Sequence, residues 1–198
     1  LTGGDNRTLT NVSYNDIAGN LFENDIIKLG EKSITTGYPD GGFHPLESIE
    51  RGAMAAYLYR LAGSPEFEAP AESPFSDVPT THPFYKEIAW LKATGITTGW
   101  EDGTFRPEDS INREAMAAFF YRAAGSPEVQ QKATFTDVSG SPFAKEISWF
   151  QFSKLSTGWP DSTFRPHDSV KRDAMAAYMM RYMGNFDSVK VSAPEPAK

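Results

Sequence analysis

The sequence predicts an all-α fold, in which three helix-loop-helix repeats pack as one pseudo-threefold domain. The first observation behind this prediction is a stretch that occurs in three similar versions, at 35–60, 97–122 and 156–181. The second is that apolar residues recur at helical spacing before and after the loop of each version. The third is size, because one copy of about 50 residues cannot bury its apolar face without its neighbours.

The three repeats extend over 14–63, 75–125 and 135–184, and they leave flanking segments at 1–13 and 185–198. Polar and partly proline-rich segments join the repeats, which is typical of linkers between structural units. A linear solenoid is the alternative to a closed domain. We favour closure, because only three copies joined by linkers of about ten residues can surround a shared core.

Each repeat begins with a short turn and a first helix. The turn reads YNDI, FSDV or FTDV, and its aspartate can accept hydrogen bonds from backbone amides ahead of a helix. The first helix is clearest at 82–93 and 142–153. In repeat 2, Phe84, Ile88 and Leu91 fall on one face of that helix, and we interpret them as core residues.

A loop and a second helix complete each repeat. Asn112 stands at the start of the second helix in repeat 2 and is a good N-cap residue. The matching Glu50 and Lys171 are poorer caps, so we expect nearby serines, Ser48 and Ser169, to contribute. Glycines stand where the second helices are expected to end, at Gly63, Gly125 and Gly184.

Composition and charge exclude several classes of partner. The formal net charge is −7 and the sequence pI is about 5.0, which argues against nucleic acid, because that binding needs clustered Lys and Arg. The chain has no cysteine, which excludes disulfides and cysteine-ligated zinc. No apolar run approaches the roughly 20 residues of a membrane-spanning helix, so we predict no membrane insertion.

The polar residues form no catalytic or metal-binding constellation, so we predict neither enzyme activity nor a cofactor. The histidines His44, His82 and His167 stand at unrelated places, and we expect each at the surface. A loop aspartate recurs in each copy, but the loops lack the dense oxygen ligands of a calcium-binding EF-hand. A turn-stabilising role is therefore preferred for these aspartates, which are Asp40, Asp102 and Asp161.

One arginine recurs in the first turn of the second helix, at Arg51, Arg113 and Arg172. A cation gains nothing from the helix dipole at that end. The arrangement makes sense if the guanidinium and the exposed helix amides converge on an anion. The alternative, in which each arginine pairs with a neighbouring acid, stays open; the acids concerned are Glu47, Asp109 and Asp168.

An aromatic residue follows a glycine in each loop. A flat ring beside a glycine, which leaves room for close approach, is a plausible platform for the apolar face of a sugar. The alternative is that the rings fill the gap between lobes. Together, ring and arginine favour an acidic saccharide as the ligand. The pairs are Gly37 with Tyr38, Gly99 with Trp100, and Gly158 with Trp159.

In repeat 2, FSDV, a helix ending in GITTGWEDGTFRPEDSI, and NREAMAAFFYR together resemble the S-layer homology repeat of bacterial envelope proteins. The resemblance covers most of residues 14–184. The family's helix-start motif is usually Thr-Arg-Ala-Glu, and here the arginine alone is present in all three copies. Repeat 1 departs most, because its first helix is expected to be one residue shorter and Lys28 replaces the tryptophan of Trp90 and Trp149. We therefore expect it to be degenerate, with weaker grooves.

The resemblance implies a domain on the surface of a bacterium that binds an acidic secondary cell-wall polysaccharide without catalysis. In this family the ligand lies in grooves between repeats and is often a pyruvylated amino sugar at the end of the polymer. The arginine of one repeat and the glycine-aromatic loop of another both face it. Carried over to this chain, the ligand-binding residues are Arg51, Arg113, Arg172, Gly37, Gly99, Gly158, Tyr38, Trp100 and Trp159.

Two other functions stay open from the sequence. One is a protein–protein assembly module that self-associates to build a surface array. The other is the targeting end of a longer wall-modifying enzyme, whose active site would have to lie outside this chain.

Overall fold

The computed structural model describes residues 12–186 and 189–191. Six α-helices and no named strand lie in this part of the chain, which confirms the all-α prediction. No helix within it is long and apolar enough to span a bilayer. Most of the flanking segments 1–13 and 185–198 lies outside the described residues. The helices are α1 (Glu23–Glu31), α2 (Arg51–Leu61), α3 (Tyr85–Ala93), α4 (Arg113–Ala123), α5 (Ala144–Phe152) and α6 (Arg172–Asn185).

The first helices α1, α3 and α5 each contain nine residues. The prediction that the first helix of repeat 1 is shortened is therefore wrong. Helices α3 and α5 begin later than the expected positions 82 and 142, because a polar side chain organises a turn before each helix. That side chain accepts a hydrogen bond from the amide two residues further on. The side chains are Asn20, His82 and Ser141.

The aspartate of each opening turn holds the loop that precedes the second helix, whereas the turn motif predicted bonds to amides ahead of the first helix. Asp77 accepts hydrogen bonds from the amides of Phe105 and Arg106, at 2.9 and 2.7 Å. The same pair of bonds recurs at Asp16 and at Asp137. Since hydrogen bonds to a charged acceptor are stronger than neutral ones, each aspartate fixes the loop against its own turn.

The second helices begin at the three recurring arginines, and their first amides bond to another repeat. The amide of Arg51 donates to the carbonyl of Asp109 at 2.9 Å. The amide of Gly52 donates to the carbonyl of Pro107 at 2.8 Å. Equivalent pairs join repeat 2 to repeat 3 and repeat 3 to repeat 1. The expectation that these amides are exposed to an anion is therefore wrong, because loop carbonyls already occupy them.

Among the second helices, α4 has the side-chain cap that the sequence predicts, whereas α2 and α6 have none. Asn112 accepts a hydrogen bond from the amide of Ala115 at 2.9 Å, as its N-cap position predicts. Glu50 and Lys171 precede α2 and α6, and neither of these helices has a side-chain cap. The expectation that serines cap them is wrong, because these serines form isolated β-bridges between repeats instead. They are Ser48 and Ser169.

A closed cycle of backbone hydrogen bonds joins the three repeats at the centre of the domain. The amide of Ile49 donates to Val170 at 2.8 Å, and the amide of Val170 donates to Ile111 at 3.1 Å. The amide of Ile111 donates back to Ile49 at 3.0 Å. All three side chains are buried. A linear solenoid cannot close such a cycle, so the predicted pseudo-threefold arrangement is confirmed.

The helices also connect the repeats in a cycle. Helix α2 packs on α3, α4 packs on α5, and α6 packs on α1, so the second helix of each repeat contacts the first helix of the next. The alanines of the AMAA stretch are largely buried in all three copies, which suits closely packed helices. The loops supply one fully buried phenylalanine each to the shared core, namely Phe43, Phe105 and Phe164.

The second helices end differently in the three repeats. Gly63 and Gly125 both have φ of +86° and follow the ends of α2 and α4, as predicted. Helix α6 instead continues through Gly184 to Asn185, so the predicted end at Gly184 is wrong. The longer helix brings Phe186 against two aromatic rings, with a centroid distance of 4.8 Å to Tyr182 and 5.5 Å to Trp149, and these contacts stabilise the extra residues.

Candidate ligand-binding grooves between repeats

Each recurring arginine extends from its own repeat onto the loop of the next. The Nε atom of Arg51 donates to the carbonyl of Phe105 at 2.8 Å. Arg113 makes the same bond to Phe164, and Arg172 makes it to Phe43. The arginines therefore lie at the three seams between repeats, where the resemblance places the grooves.

The guanidinium groups are buried without a carboxylate partner. Arg51, Arg113 and Arg172 are only 5–7% exposed, and no carboxylate in residues 12–186 and 189–191 forms an ion pair with them. A direct ion pair with Glu47, Asp109 or Asp168 is therefore excluded, although the charge of Asp109 acts on Arg51 at longer range and opposes the lowering of its pKa by burial. These residues contact the arginine amides through their backbone carbonyls instead.

Aromatic rings supply part of the compensation for the buried charge. The Cζ atoms of the three arginines lie 4.6 to 4.8 Å from the centroid of the phenylalanine ring in the adjacent loop. Burial lowers the pKa of Arg51 to about 10, so its guanidinium still carries its charge at neutral pH. Each groove thus has a fixed positive charge on its inner wall.

The predicted aromatic residues stand beside these arginines and face solvent. The Cζ atom of Arg51 lies 5.7 Å from the ring of Trp100, and that of Arg113 lies 5.9 Å from Trp159. The distance from Arg172 to Tyr38 is 4.8 Å. The three rings are 38–46% exposed. A ring that filled the gap between lobes would be buried, so this exposure argues against the alternative of a plug.

A second cationic or titratable side chain lies against each ring, and its role was not predicted from the sequence. The Cζ atom of Arg106 lies 4.0 Å from the ring of Trp100, and Arg165 stands at the same distance from Trp159. In repeat 1, His44 takes this place and stacks on Tyr38 at 3.9 Å. The signal was present in the sequence, because these three residues occupy the same loop position in every copy.

The loop aspartates hold these side chains and stabilise the turns, as the sequence predicts. Asp102 accepts hydrogen bonds from the amide and the hydroxyl of Thr104, and these bonds lower the pKa of its carboxyl group. Its second oxygen pairs with Arg106 at 3.2 Å. Asp161 has the same contacts in repeat 3. The described residues contain no cluster of three or more His, Asp or Glu side chains able to hold a metal.

None of the three histidines is fully buried, in line with the expected surface positions, but they differ in exposure and in role. His44 bonds to Asp40 at 2.7 Å, and this hydrogen bond raises the pKa of the His44 imidazole. His82 is largely buried and accepts a hydrogen bond from the amide of Phe84 before α3. His167 is the one of the three with a well-exposed side chain.

The predicted glycines support the grooves from behind. Gly37, Gly99 and Gly158 have φ of +68°, +72° and +72°, which favours glycine. A Cβ atom at these positions would meet an aromatic ring of the opening turn in the same repeat. The ring on the Cβ side is therefore one reason for glycine at these positions, and close approach of a ligand from the cavity side, where Gly37 and Gly99 line the grooves, stays a prediction. The rings belong to Tyr14, Phe75 and Phe135.

Two of the seams open into cavities. The groove at Trp100 has a volume of about 280 Å³ and is lined by Arg51, Gly99 and Phe119, with Phe143 from repeat 3. Its wall also carries charged residues of both signs, namely Arg122, Asp109 and Glu114. The groove at Tyr38 has a volume of about 160 Å³. Its wall has the matching composition, with contributions from all three repeats: Arg172, Gly37, Tyr57 and Phe84.

Comparison with known proteins identifies the repeats. The S-layer homology domain family matches residues 13–55, 74–117 and 134–176. Cell surface glycoprotein 1 of Acetivibrio thermocellus is 32% identical over 157 residues, which is 73% of this chain and 7% of that protein. The cellulosome-anchoring protein of the same organism is 31% identical over 152 residues, 73% of this chain and 34% of that protein.

A third relative is an enzyme. An endoglucanase of Bacillus sp. strain KSM-635 is 32% identical over 158 residues, 75% of this chain and 16% of the enzyme. The chain thus spans between 7% and 34% of the length of these relatives. Because the family matches cover more than half of it, the chain belongs to the S-layer homology family, whose domains anchor bacterial proteins to the cell wall at the cell surface.

Proposed function

We propose that this chain is a non-catalytic anchoring module that binds an acidic secondary cell-wall polysaccharide in the grooves between its repeats. The observation that carries the proposal is the set of three buried guanidinium groups without carboxylate partners, each beside an exposed aromatic ring. In a chain with a net charge of −7, no carboxylate of the described residues forms a direct ion pair with these guanidinium groups, which favours binding of an anion from outside the chain.

The chemistry of the grooves suits an acidic sugar. A guanidinium group binds a carboxylate or phosphate through parallel hydrogen bonds, and burial strengthens the attraction. The exposed face of an aromatic ring suits the apolar face of a sugar. Arg51, Arg113 and Arg172 would bind the acid group, and the glycine-aromatic loops would position the sugar. We expect a pyruvylated amino sugar as the terminal residue.

Three grooves on one module favour anchoring. Once one groove has bound a polymer, a second groove meets the same polymer at high effective concentration, so weak single sites combine into strong attachment. The pseudo-threefold arrangement would then have two roles, because it closes the core and also multiplies the binding sites.

Binding to cell walls with and without the polymer tests the proposal. Walls of Acetivibrio thermocellus should retain the chain in a sedimentation assay, and chemical removal of their non-peptidoglycan polysaccharide should abolish retention. Trp100→Ala should weaken retention, because it removes the sugar platform of one groove. Phe152→Ala is the matched control, since Phe152 is 45% exposed but lies outside the grooves, and it should bind normally.

Two results would contradict this function. The first is retention by walls that have lost the polysaccharide. The second is an equal loss of retention in the Trp100→Ala and Phe152→Ala variants. Self-association of the chain without any glycan, measured by sedimentation velocity, would favour an assembly module instead.

The endoglucanase relative favours a second role for the same module, as the targeting part of a longer wall-modifying protein. Fusion to a fluorescent reporter tests this role. The reporter alone should remain in solution, and the fusion should bind walls that contain the polymer. A fusion that fails to bind while the unfused chain binds would contradict it.

A further inference from the structure

The three buried arginines differ in how many of their donors the protein already uses. Arg113 donates through all three guanidinium nitrogens, to Phe164 O at 2.6 Å, Tyr178 Oη at 2.7 Å and Ser156 Oγ at 3.4 Å. Arg172 donates through Nε and one terminal nitrogen. Arg51 donates through Nε alone within the described part of the chain. The seam between Arg51 and the loop of Trp100, here called the first seam, is therefore the one whose arginine has both terminal nitrogens available.

One position on the second helix accounts for much of this difference. Tyr57 accepts a hydrogen bond from Arg172 at 3.0 Å, and Tyr178 accepts one from Arg113. The matching residue at the first seam is Phe119, whose ring lies 5.5 Å from the Cζ atom of Arg51. Its ring is as close to the guanidinium as the two tyrosine rings, which lie at 5.8 and 5.9 Å. Phe119 therefore provides the ring and lacks the hydroxyl.

The cavity beside Arg51 has room for a ligand to use these donors. Its volume of about 280 Å³ exceeds the 160 Å³ of the groove at Tyr38. Arg51 is 6% exposed and lines this cavity, and its terminal nitrogens are not among the buried unpartnered atoms of the described residues, so they are accessible from the cavity. A largely desolvated guanidinium with accessible donors favours binding of an oppositely charged group. Phe119 is 3% exposed, so the ring is fixed in place.

We propose that the groove at Trp100 is the principal anion-binding site of the chain, and that Phe119 makes it so because it leaves free the terminal nitrogen of Arg51 that a tyrosine hydroxyl occupies at the other two seams. This inference rests on the proposed function and deepens it. For the groove at Trp100, it also reverses the expectation from the sequence that grooves touching repeat 1 are weaker. The grooves at Tyr38 and Trp159 are secondary sites, because a tyrosine hydroxyl there competes with the ligand for the arginine.

Phe119→Tyr is the decisive variant, and repeats 1 and 3 already carry tyrosine at the matching position. The probe is soluble polysaccharide released from walls of Acetivibrio thermocellus, and affinity is measured by calorimetry. The variant should bind about tenfold more weakly, because the new hydroxyl takes one charge-assisted hydrogen bond from the ligand. Tyr121→Phe is the control, since its hydroxyl bonds to Pro127 outside the grooves, and it should bind as the wild type does.

Three further variants separate hydrogen bonding from simple blockage of the cavity. Arg51→Ala should lose more affinity than Arg113→Ala. In the Arg51→Ala chain, Tyr178→Phe should restore part of the loss, because it frees one nitrogen of Arg113 without adding an atom. Circular dichroism should show native helix content in every variant that is compared.

The inference is overturned if Phe119→Tyr binds like the wild type, if Arg113→Ala costs as much affinity as Arg51→Ala, or if Tyr178→Phe restores nothing. These outcomes leave the proposed function intact, because the wild type still binds the polysaccharide. A wild-type chain that fails to bind it removes the proposed function and this inference together.

Discussion

Replacing Gly99 with alanine should destabilise the domain far more than replacing Gly103 in the same loop. Both glycines have positive φ, +72° and +80° respectively, so an alanine at either position costs about 1–2 kcal/mol of backbone strain. They differ in what surrounds the missing side chain. A Cβ atom at Gly103 would meet no atom within 4 Å, whereas one at Gly99 would overlap the ring of Phe75.

The overlap at Gly99 adds a second cost. Phe75 is 3% exposed and packs against Phe105, with 5.4 Å between ring centroids, so it cannot move aside without disturbing the core. Overpacking of this kind costs typically about 1–3 kcal/mol. Gly99→Ala should therefore lower the free energy of unfolding by about 2–5 kcal/mol, and Gly103→Ala by about 1–2 kcal/mol.

Urea denaturation followed by circular dichroism measures both values, and an unchanged dependence on urea concentration shows that the two unfolding reactions are comparable. Gly103→Ala is the matched control, because it shares the backbone strain and lacks the overlap. Equal destabilisation by the two substitutions would refute the reasoning, since it would mean that the ring of Phe75 does not fill the space behind Gly99.

Three further predictions concern single interactions. Asn112→Ala should lower the free energy of unfolding by about 1 kcal/mol through loss of its cap, whereas Lys171→Ala, which removes no cap, should change it by less than about 0.5 kcal/mol in the same urea assay. An NMR titration should give His44 a pKa above its usual value of 6.5, and Asp40→Asn should return it towards 6.5, because the Asp40 hydrogen bond raises it. The stability that this bond contributes should be complete below pH 6.5 and lost as pH rises through the raised pKa of His44. A free energy of unfolding that instead rises with pH over this range in the wild type, and does not do so in Asp40→Asn, would contradict this assignment. Ser162→Gly should stabilise the domain by up to about 1 kcal/mol in thermal or urea unfolding, because Ser162 holds φ of +64°; a loss of stability would show that its side chain contributes there.

Local signals made much of the architecture predictable. The spacing of Phe84, Ile88 and Leu91 predicted a first helix, because a buried helical face needs apolar residues at that period. Asn112 predicted the start of α4, since a side-chain cap depends on residue type. The proximity of Arg113 and Trp159 agrees with the resemblance, which placed an arginine of one repeat near the loop of another.

The features that the sequence concealed depend on backbone groups of other repeats. The first amides of α2 bond to the carbonyls of Asp109 and Pro107, and any residue type supplies a carbonyl, so no sequence pattern marks the contact. The turns before the first helices use Asn20, His82 and Ser141, three chemically different side chains in one role. Comparison by residue type therefore could not align them, although the geometry is the same.

Backbone groups close the domain whereas side chains form the grooves, and this division explains how three similar grooves can acquire different properties in one domain. Backbone hydrogen bonds through Ile49, Ile111 and Val170 join the repeats at the centre, and they tolerate any side chain that fills the core. Groove chemistry instead depends on side chains at the seams. Phe119 or a tyrosine decides how much of the arginine is free, and His44 or an arginine decides whether the charge beside the ring changes with pH. Substitution at such a position alters one groove and leaves the central cycle intact, so the grooves can differ in affinity and in pH response while the fold stays closed.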